Sequence, residues 1–190
     1  KTLVDVSAAN NIEDVLEMAD LNFEVGLQEL SSQVVTPEGV TQVNYVESGV
    51  VRMDNLRPIG VVGERYTPIQ NRDAFSPLHF LQSEGFIEEY EQAGMLGHGQ
   101  RCFVIARLNQ EVHLTDEHHA RIMFSTTHDG SGAFQVRSLA ERLWCSNQIP
   151  NLDRISARML SIRHTSSADY RLRMVKQAVL HEMEWLNEYT

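Results

Sequence analysis

Cysteine is scarce in this chain, which has only Cys102 and Cys145 among its 190 residues. Neither belongs to a Cys-x-x-Cys pair, which excludes a disulfide-stapled domain and a zinc ribbon. Usage this sparse is typical of a reducing compartment, so the sequence predicts a cytoplasmic protein. Because Cys102 lies in an apolar run and Cys145 follows Leu143 and Trp144, we interpret both as buried thiols and not as nucleophiles.

Long apolar runs are also missing, since no stretch approaches the roughly 20 residues that a membrane helix needs. The sequence therefore predicts no membrane association. Hydrophobic residues make up 42% of the chain and charged residues 22%, which is ordinary for a globular protein. A chain of 190 residues can bury enough surface to fold without a staple, so we predict a single domain over residues 1–190.

Basic residues are few: 16 Lys and Arg oppose 26 Asp and Glu, for a net charge of −10. This balance excludes a whole-surface basic footprint for nucleic acid. The acidic excess lies in residues 1–100, whereas the window 137–176 carries eight basic side chains and three acidic ones. Arginine suits phosphate, so this basic window predicts a local anion-binding face. Alternatively, its arginines are solvated and pair with acids of the N-terminal half.

The spacing of apolar residues predicts three helices among many strands. Asn10 and Asn11 cap an amphipathic segment that begins at Ile12, a second helix covers 72–83, and an apolar stripe predicts a third over 168–189. Alternating apolar and polar residues predict strands in the intervals. This order predicts an α+β fold, a largely antiparallel sheet with one inserted helix and a long C-terminal helix.

Three local predictions concern the ends of elements. Residues 36–39 have turn composition. The Ser48-Gly49 break predicts that 40–53 forms a hairpin of its own. Residues 137–146 form either the end of a strand or a short helix, and we favour a helix start.

Each candidate site in the loops also has a purely structural interpretation. Glycines within 94–99 match no phosphate-binding fingerprint and favour a tight turn. Histidines within 113–119 are spaced wrongly for zinc and favour a solvated loop. His128, Asp129 and Ser131 lie between two strands, where they form either a turn or a ligand-contacting loop. The sequence thus predicts no metal site, no cofactor and no assigned catalytic residue.

Several stretches of the chain, taken in order, resemble a phage- and plasmid-borne family known as a domain of unknown function, DUF932. These stretches are 17–21, 60–63, 66–71, 93–99, 128–131, 136–137, 144–147 and 162–165. The mobile-element setting of the family implies a nucleic-acid transaction. More distantly, the chain is similar to phage single-strand annealing proteins, which assemble as rings or filaments on DNA.

The resemblance and the basic window together predict a protein that binds single-stranded DNA as a homo-oligomer, with strand annealing as a further expectation. The predicted nucleic-acid contacts are Arg137, Arg142, Trp144, Arg154, Arg158, Arg163, His164, Tyr170, Arg171 and Arg173. One alternative is a mobile-element factor whose acidic surface binds or inhibits a basic protein partner. Another is an enzyme centred on His128, Asp129 and Ser131, although a non-enzymatic role is the favoured prediction.

Overall fold

The structure is a computed structural model that describes residues 3–109, 121–139 and 156–188. Its helices are α1 (Ile12–Met18), α2 (Asn71–Ser83) and α3 (Ala168–Glu188). Its strands are β1 (Val4–Asp5), β2 (Val25–Thr36), β3 (Gly39–Arg52), β4 (Pro58–Val62), β5 (Ile87–Leu96), β6 (Arg101–Leu108), β7 (Arg121–Thr127), β8 (Phe134–Leu139) and β9 (Ser156–Ile162). Within these ranges every strand pair is antiparallel, which confirms the predicted α+β class.

The larger sheet has six strands in the order β1-β5-β6-β7-β8-β9 and is covered by helices on one face. Cys102 and Val104 of β6 join the core on that face, whereas Phe103 and Ile105 point to the other face and cluster with Met123. This alternation is the period-two pattern of a strand that is buried on both sides. In the part of the chain described, no helix has both the length and the apolar character needed to cross a bilayer.

Helices α1 and α2 form where the sequence predicts them. Asn11 caps α1, because its side chain accepts a hydrogen bond of 2.9 Å from the backbone N–H of Asp14. Leu172, Val175 and Val179 of α3 are buried at helical spacing, as the predicted stripe requires.

The smaller sheet has the order β2-β3-β4 and shares the main core through buried residues such as Val25, Val50 and Val62. The predicted turn over 36–39 joins β2 to β3 and is confirmed. The predicted hairpin over 40–53 is wrong, because β3 runs straight through Gly49 opposite β2.

The side chain of Leu30 explains why no turn forms at the Ser48-Gly49 break. A Cβ on Gly49 would lie 3.1 Å from Leu30 Cδ2, so the glycine makes room for a cross-strand leucine instead of bending the chain.

The predicted helix start within 137–146 is also wrong over its described part, since residues 137–139 continue β8 opposite β7.

Candidate binding site

The segment 66–71 joins β4 to α2 and contacts several distant parts of the chain. The Tyr66 hydroxyl donates to the carbonyl of Thr127 at 3.3 Å. The backbone N–H of Thr67 donates to the carbonyl of His164 at 3.2 Å, and the N–H of Ile69 donates to His164 Nδ1 at 3.2 Å. These three bonds hold the ends of β7 and β9 against the same short segment.

The end of this segment secures the N-terminal part of the chain. The Gln70 amide accepts from the N–H of Val25 and donates to its carbonyl, both at 2.9 Å. The buried Asn71 amide donates to the carbonyl of Leu21 at 2.9 Å, and Asn71 Oδ1 lies 2.9 Å from His128 Nε2. One run of six residues therefore connects the start of β2, the end of β7 and the end of β9.

The hydrogen bonds assign the protons on the two histidines. Because Asn71 presents its oxygen to His128, the Nε2 of His128 is the donor. Because His164 Nδ1 accepts from Ile69, its proton lies on Nε2, which donates to Thr126 Oγ1 at 3.4 Å. The accepting Nδ1 shows that the His164 ring is neutral.

Burial explains why the two imidazoles are uncharged. Burial, and to a smaller extent His164, lower the pKa of His128 to about 3, against a smaller opposing effect of Asp129. Burial lowers the pKa of His164 to about 4. Burial also raises the pKa of the Tyr66 phenol well above its ordinary value. At neutral pH this cluster therefore acts through hydrogen bonds and shape, not through charge.

The rings of the cluster also pack against one another. Tyr66 stacks on His164 with ring centroids 5.0 Å apart and planes 8° apart. His128 meets His164 edge-on at 6.3 Å and meets Phe23 edge-on at 6.1 Å. Such offset and edge-on contacts are favourable for rings and fix their orientation. The cluster is thus a rigid support beneath the surface.

Arg52 packs against the cluster next to Phe23, which lies in the segment before β2. Its guanidinium lies 3.8 Å from the Phe23 ring centroid and donates to both carboxylate oxygens of Asp54, at 3.0 and 2.6 Å. A Cβ on Gly99 would come within 2.8 Å of Phe23 and 3.4 Å of Arg52, at a φ of +113°. Glycine is therefore required at position 99 for both space and conformation.

The predicted loop at His128, Asp129 and Ser131 is a turn. Asp129 Oδ1 accepts the Ser131 N–H at 2.9 Å and the Ser131 hydroxyl at 2.6 Å, and Gly130 has a φ of +80°. The His128 ring points into the buried cluster and bonds Asn71, so the structure does not pair it with Ser131. Ligand contact by this loop stays a prediction.

Strand β4 lies directly against this turn, and Gly60 makes the approach possible. A Cβ on Gly60 would lie 2.4 Å from Asp129 Cα, whereas a Cβ on Gly63 would meet nothing within 4 Å. We expect Gly60→Ala to lower the free energy of unfolding by about 2 kcal/mol, since overpacking against backbone forces a shift. Denaturant titration measures this loss. Gly63→Ala is the matched control, and equal stability of the two variants would contradict the close approach.

An open groove of about 890 Å³ lies above the cluster, between the base of β3, the loop after β4, the turn after β7 and the end of β9. Arg65 and Arg163 line it with exposed side chains, and Glu47 and Glu64 are its acidic members. Tyr66, His164 and Thr165 lie on its surface, together with the small residues Gly63, Gly130, Ser131 and Gly132. Small residues leave backbone N–H groups accessible to a ligand.

The predicted nucleic-acid contacts fall in different places. Arg163 and His164 line the groove, although His164 is only 5% exposed. Tyr170, Arg171 and Arg173 are exposed on the first turns of α3.

Other predicted contacts lie elsewhere. Arg137 is buried, and its Nε donates to Gln135 at 3.0 Å. Arg158 lies in β9, paired with Arg137. Arg142, Trp144 and Arg154 lie outside the described residues.

The described residues contain neither a clustered set of metal ligands nor an exposed thiol. Those residues contain no group of three or more His, Cys, Asp or Glu that could hold a metal ion, and the histidines of 113–119 lie outside them. Cys102 is buried, and its burial raises the pKa of the thiol to about 12, so the reactive thiolate is not populated at neutral pH.

Sequence reasoning missed Arg52, Arg65 and Asn71 as members of this region. The run Tyr66-x-Pro-Ile-Gln-Asn71, on which the resemblance rests, was the available signal for the cluster. Arg65 directly precedes that run, whereas Arg52 carried no signal for the cluster, because its contacts with the Phe23 ring and the His98 carbonyl join distant positions of the chain.

Comparison with known proteins gives a family but no described activity. The family described as Domain of unknown function (DUF932) matches residues 58–189, which is more than half of the chain and includes the segment 66–71, His128 and His164. Comparisons with curated proteins and with solved structures gave no match. The chain therefore belongs to the DUF932 family.

Proposed function

We propose that this protein binds single-stranded nucleic acid, with the phosphate backbone in the groove above the Tyr66–His164 stack. The observation that carries the proposal is the convergence of Arg65 and Arg163, exposed on two separate segments, on one groove floored by Gly130 and Gly132. Guanidinium forks and accessible backbone N–H groups are the donors that phosphate prefers. The scaffold below is rigid and uncharged, so the arginines supply the positive charge.

The proposed path continues from the groove onto the start of α3. Thr165 accepts the N–H of Ala168 at 2.8 Å, which begins the helix immediately after the groove. Arg171 and Arg173 are exposed there, and Tyr170 is 67% exposed, as a base-stacking ring must be. Only a few phosphates are contacted along such a path, which fits a protein that is acidic elsewhere.

Fluorescence anisotropy with a labelled single-stranded oligonucleotide tests this function. We expect Arg65→Glu/Arg163→Glu to weaken binding at least tenfold. Losing two phosphate contacts also reduces the slope of log affinity against log salt by about 1.4. Arg57→Glu/Arg72→Glu is the matched control, because both arginines are exposed and lie outside the groove.

Two outcomes would contradict the proposal. No binding by the unaltered protein at low salt excludes a nucleic-acid role. Equal loss in both charge-reversed variants shows that net charge, and not the groove, governs binding.

A second candidate function rests on a different groove of about 500 Å³, between α1 and α2. Its floor includes the buried Leu16 and Phe23, and its rim includes Glu13, Glu17 and Asp73. An apolar floor with an acidic rim suits a cationic segment of a protein partner. Calorimetry with a basic amphipathic peptide would test it, with Glu13→Lys/Glu17→Lys expected to abolish binding.

A further inference from the structure

The outer part of the β2–β3 hairpin, residues 30–46, is a two-stranded ribbon without a third strand. Strand β4 pairs only with residues 48–51 of β3, below this ribbon. Its large apolar side chains are exposed, with values of 81% for Val35 and 65% for Val40. A two-stranded ribbon is only marginally stable in water by itself. An ordered ribbon of this length therefore indicates that another chain pairs with it or packs on it.

The ribbon is nearly uncharged. Glu38, in its turn, is the single charged residue within 30–46, and the ribbon has no Lys or Arg. It therefore lacks the cations that a nucleic-acid-binding arm needs. An uncharged surface rich in Val, Thr, Ser and Gln instead suits backbone pairing with another strand.

Strand β2 is the edge of its sheet, since the order is β2-β3-β4. Exposed edge strands usually carry lysine, proline or inward charges that prevent pairing with other chains. Residues 30–36 of β2 carry none of these. Among the described residues, β2 pairs only with β3 in this sheet, so its other edge has no neighbouring strand.

We propose that the β2 edges of two copies of this chain pair antiparallel and join two ribbons into one continuous sheet. A strand that pairs with itself antiparallel gives a closed two-fold dimer. With the axis between Ser32 and Gln33, Leu30 of one copy faces Val35 of the other, and Glu29 faces Thr36. Apolar residues then meet across the axis and the two Glu29 carboxylates stay apart, which is why a second copy fits this edge.

The size of this interface predicts a weak dimer. Eight paired residues, 29–36, span about 27 Å of strand. A single strand pair of that length falls short of the roughly 800 Å² per partner of a standard stable interface. Association should therefore depend on concentration in the micromolar range.

Sedimentation velocity from 1 to 100 μM, without nucleic acid, tests the pairing independently of the proposed function. We expect the unaltered chain to shift from monomer to dimer. Gln33→Lys/Val35→Lys on the β2 edge should raise the dimer dissociation constant more than tenfold, because it supplies the missing edge lysines. Gln42→Lys/Val40→Lys is the matched control, since these residues lie directly opposite on β3.

Three results decide the matter. Loss of dimer in the β2 variant alone supports edge pairing. A monomer at every concentration of the unaltered chain overturns the proposal. Equal loss in both variants also overturns it, because that result assigns the contact to a face of the ribbon and not to the β2 edge.

Discussion

Lowering the pH from 7 to 5 should reduce the free energy of unfolding by about 4 kcal/mol. The folded-state pKa values of His128 and His164, about 3 and about 4, lie below the ordinary value of 6.5. Below pH 6.5 the unfolded chain therefore binds protons at these two histidines that the folded chain does not bind. The full stabilisation by the two neutral rings is present above that pH. Below it, the free energy of unfolding falls by about 1.4 kcal/mol per pH unit for each ring, which amounts to about 2 kcal/mol per ring at pH 5.

Urea titrations at pH 7 and pH 5 measure this difference in unaltered and variant chains. His128→Gln keeps a donor toward Asn71, and His164→Asn keeps an acceptor for Ile69, so each should fold while removing about 2 kcal/mol from the pH effect. His79→Gln is the matched control, because the His79 ring is exposed. An unchanged pH effect in the His128/His164 double variant would show that these rings are not the buried neutral groups.

Asn71→Ala should lower the free energy of unfolding by about 3 kcal/mol. The Asn71 side chain is only 1% exposed and satisfies both the carbonyl of Leu21 and the Nε2 proton of His128. Its removal leaves two buried polar groups without partners, and each such loss costs about 1–3 kcal/mol. Thermal and urea unfolding both report the change.

Asn22→Ala supplies the comparison for Asn71, since Asn22 is exposed and its loss should cost less than about 0.5 kcal/mol. Asn71→Asp adds a second readout. It places a carboxylate beside His128 Nε2, so the pKa of His128 should rise, which a proton NMR titration follows. Equal stability of the Asn71 and Asn22 alanine variants would refute the role assigned to the buried amide.

Local patterns predicted the elements of the fold well. Strands occupy the intervals between the predicted helices, and the predicted Asn11 cap lies at the start of α1. Errors arose where the same residue type fits two structural roles. Gly49 was interpreted as a turn, but it makes room for Leu30 on the neighbouring strand, and no local pattern distinguishes these uses.

The candidate site was predictable only in fragments. His128 was predicted in a turn or ligand-contacting loop and Arg163 as a nucleic-acid contact, but the sequence could not place them near each other. The bond between His128 and Asn71 spans 57 positions, and that between His164 and Ile69 spans 95. Such contacts depend on how the strands are ordered in the sheet, which periodicity does not encode.

The same long separations make the groove depend on the completion of folding. Loop closure over 95 positions is entropically costly, and contacts of this kind form late and slowly. One wall of the groove is the end of β9, close to α3. A chain still emerging from the ribosome has no His164 to receive the Ile69 N–H, so newly made protein acquires the groove only when β9 docks against the segment 66–71.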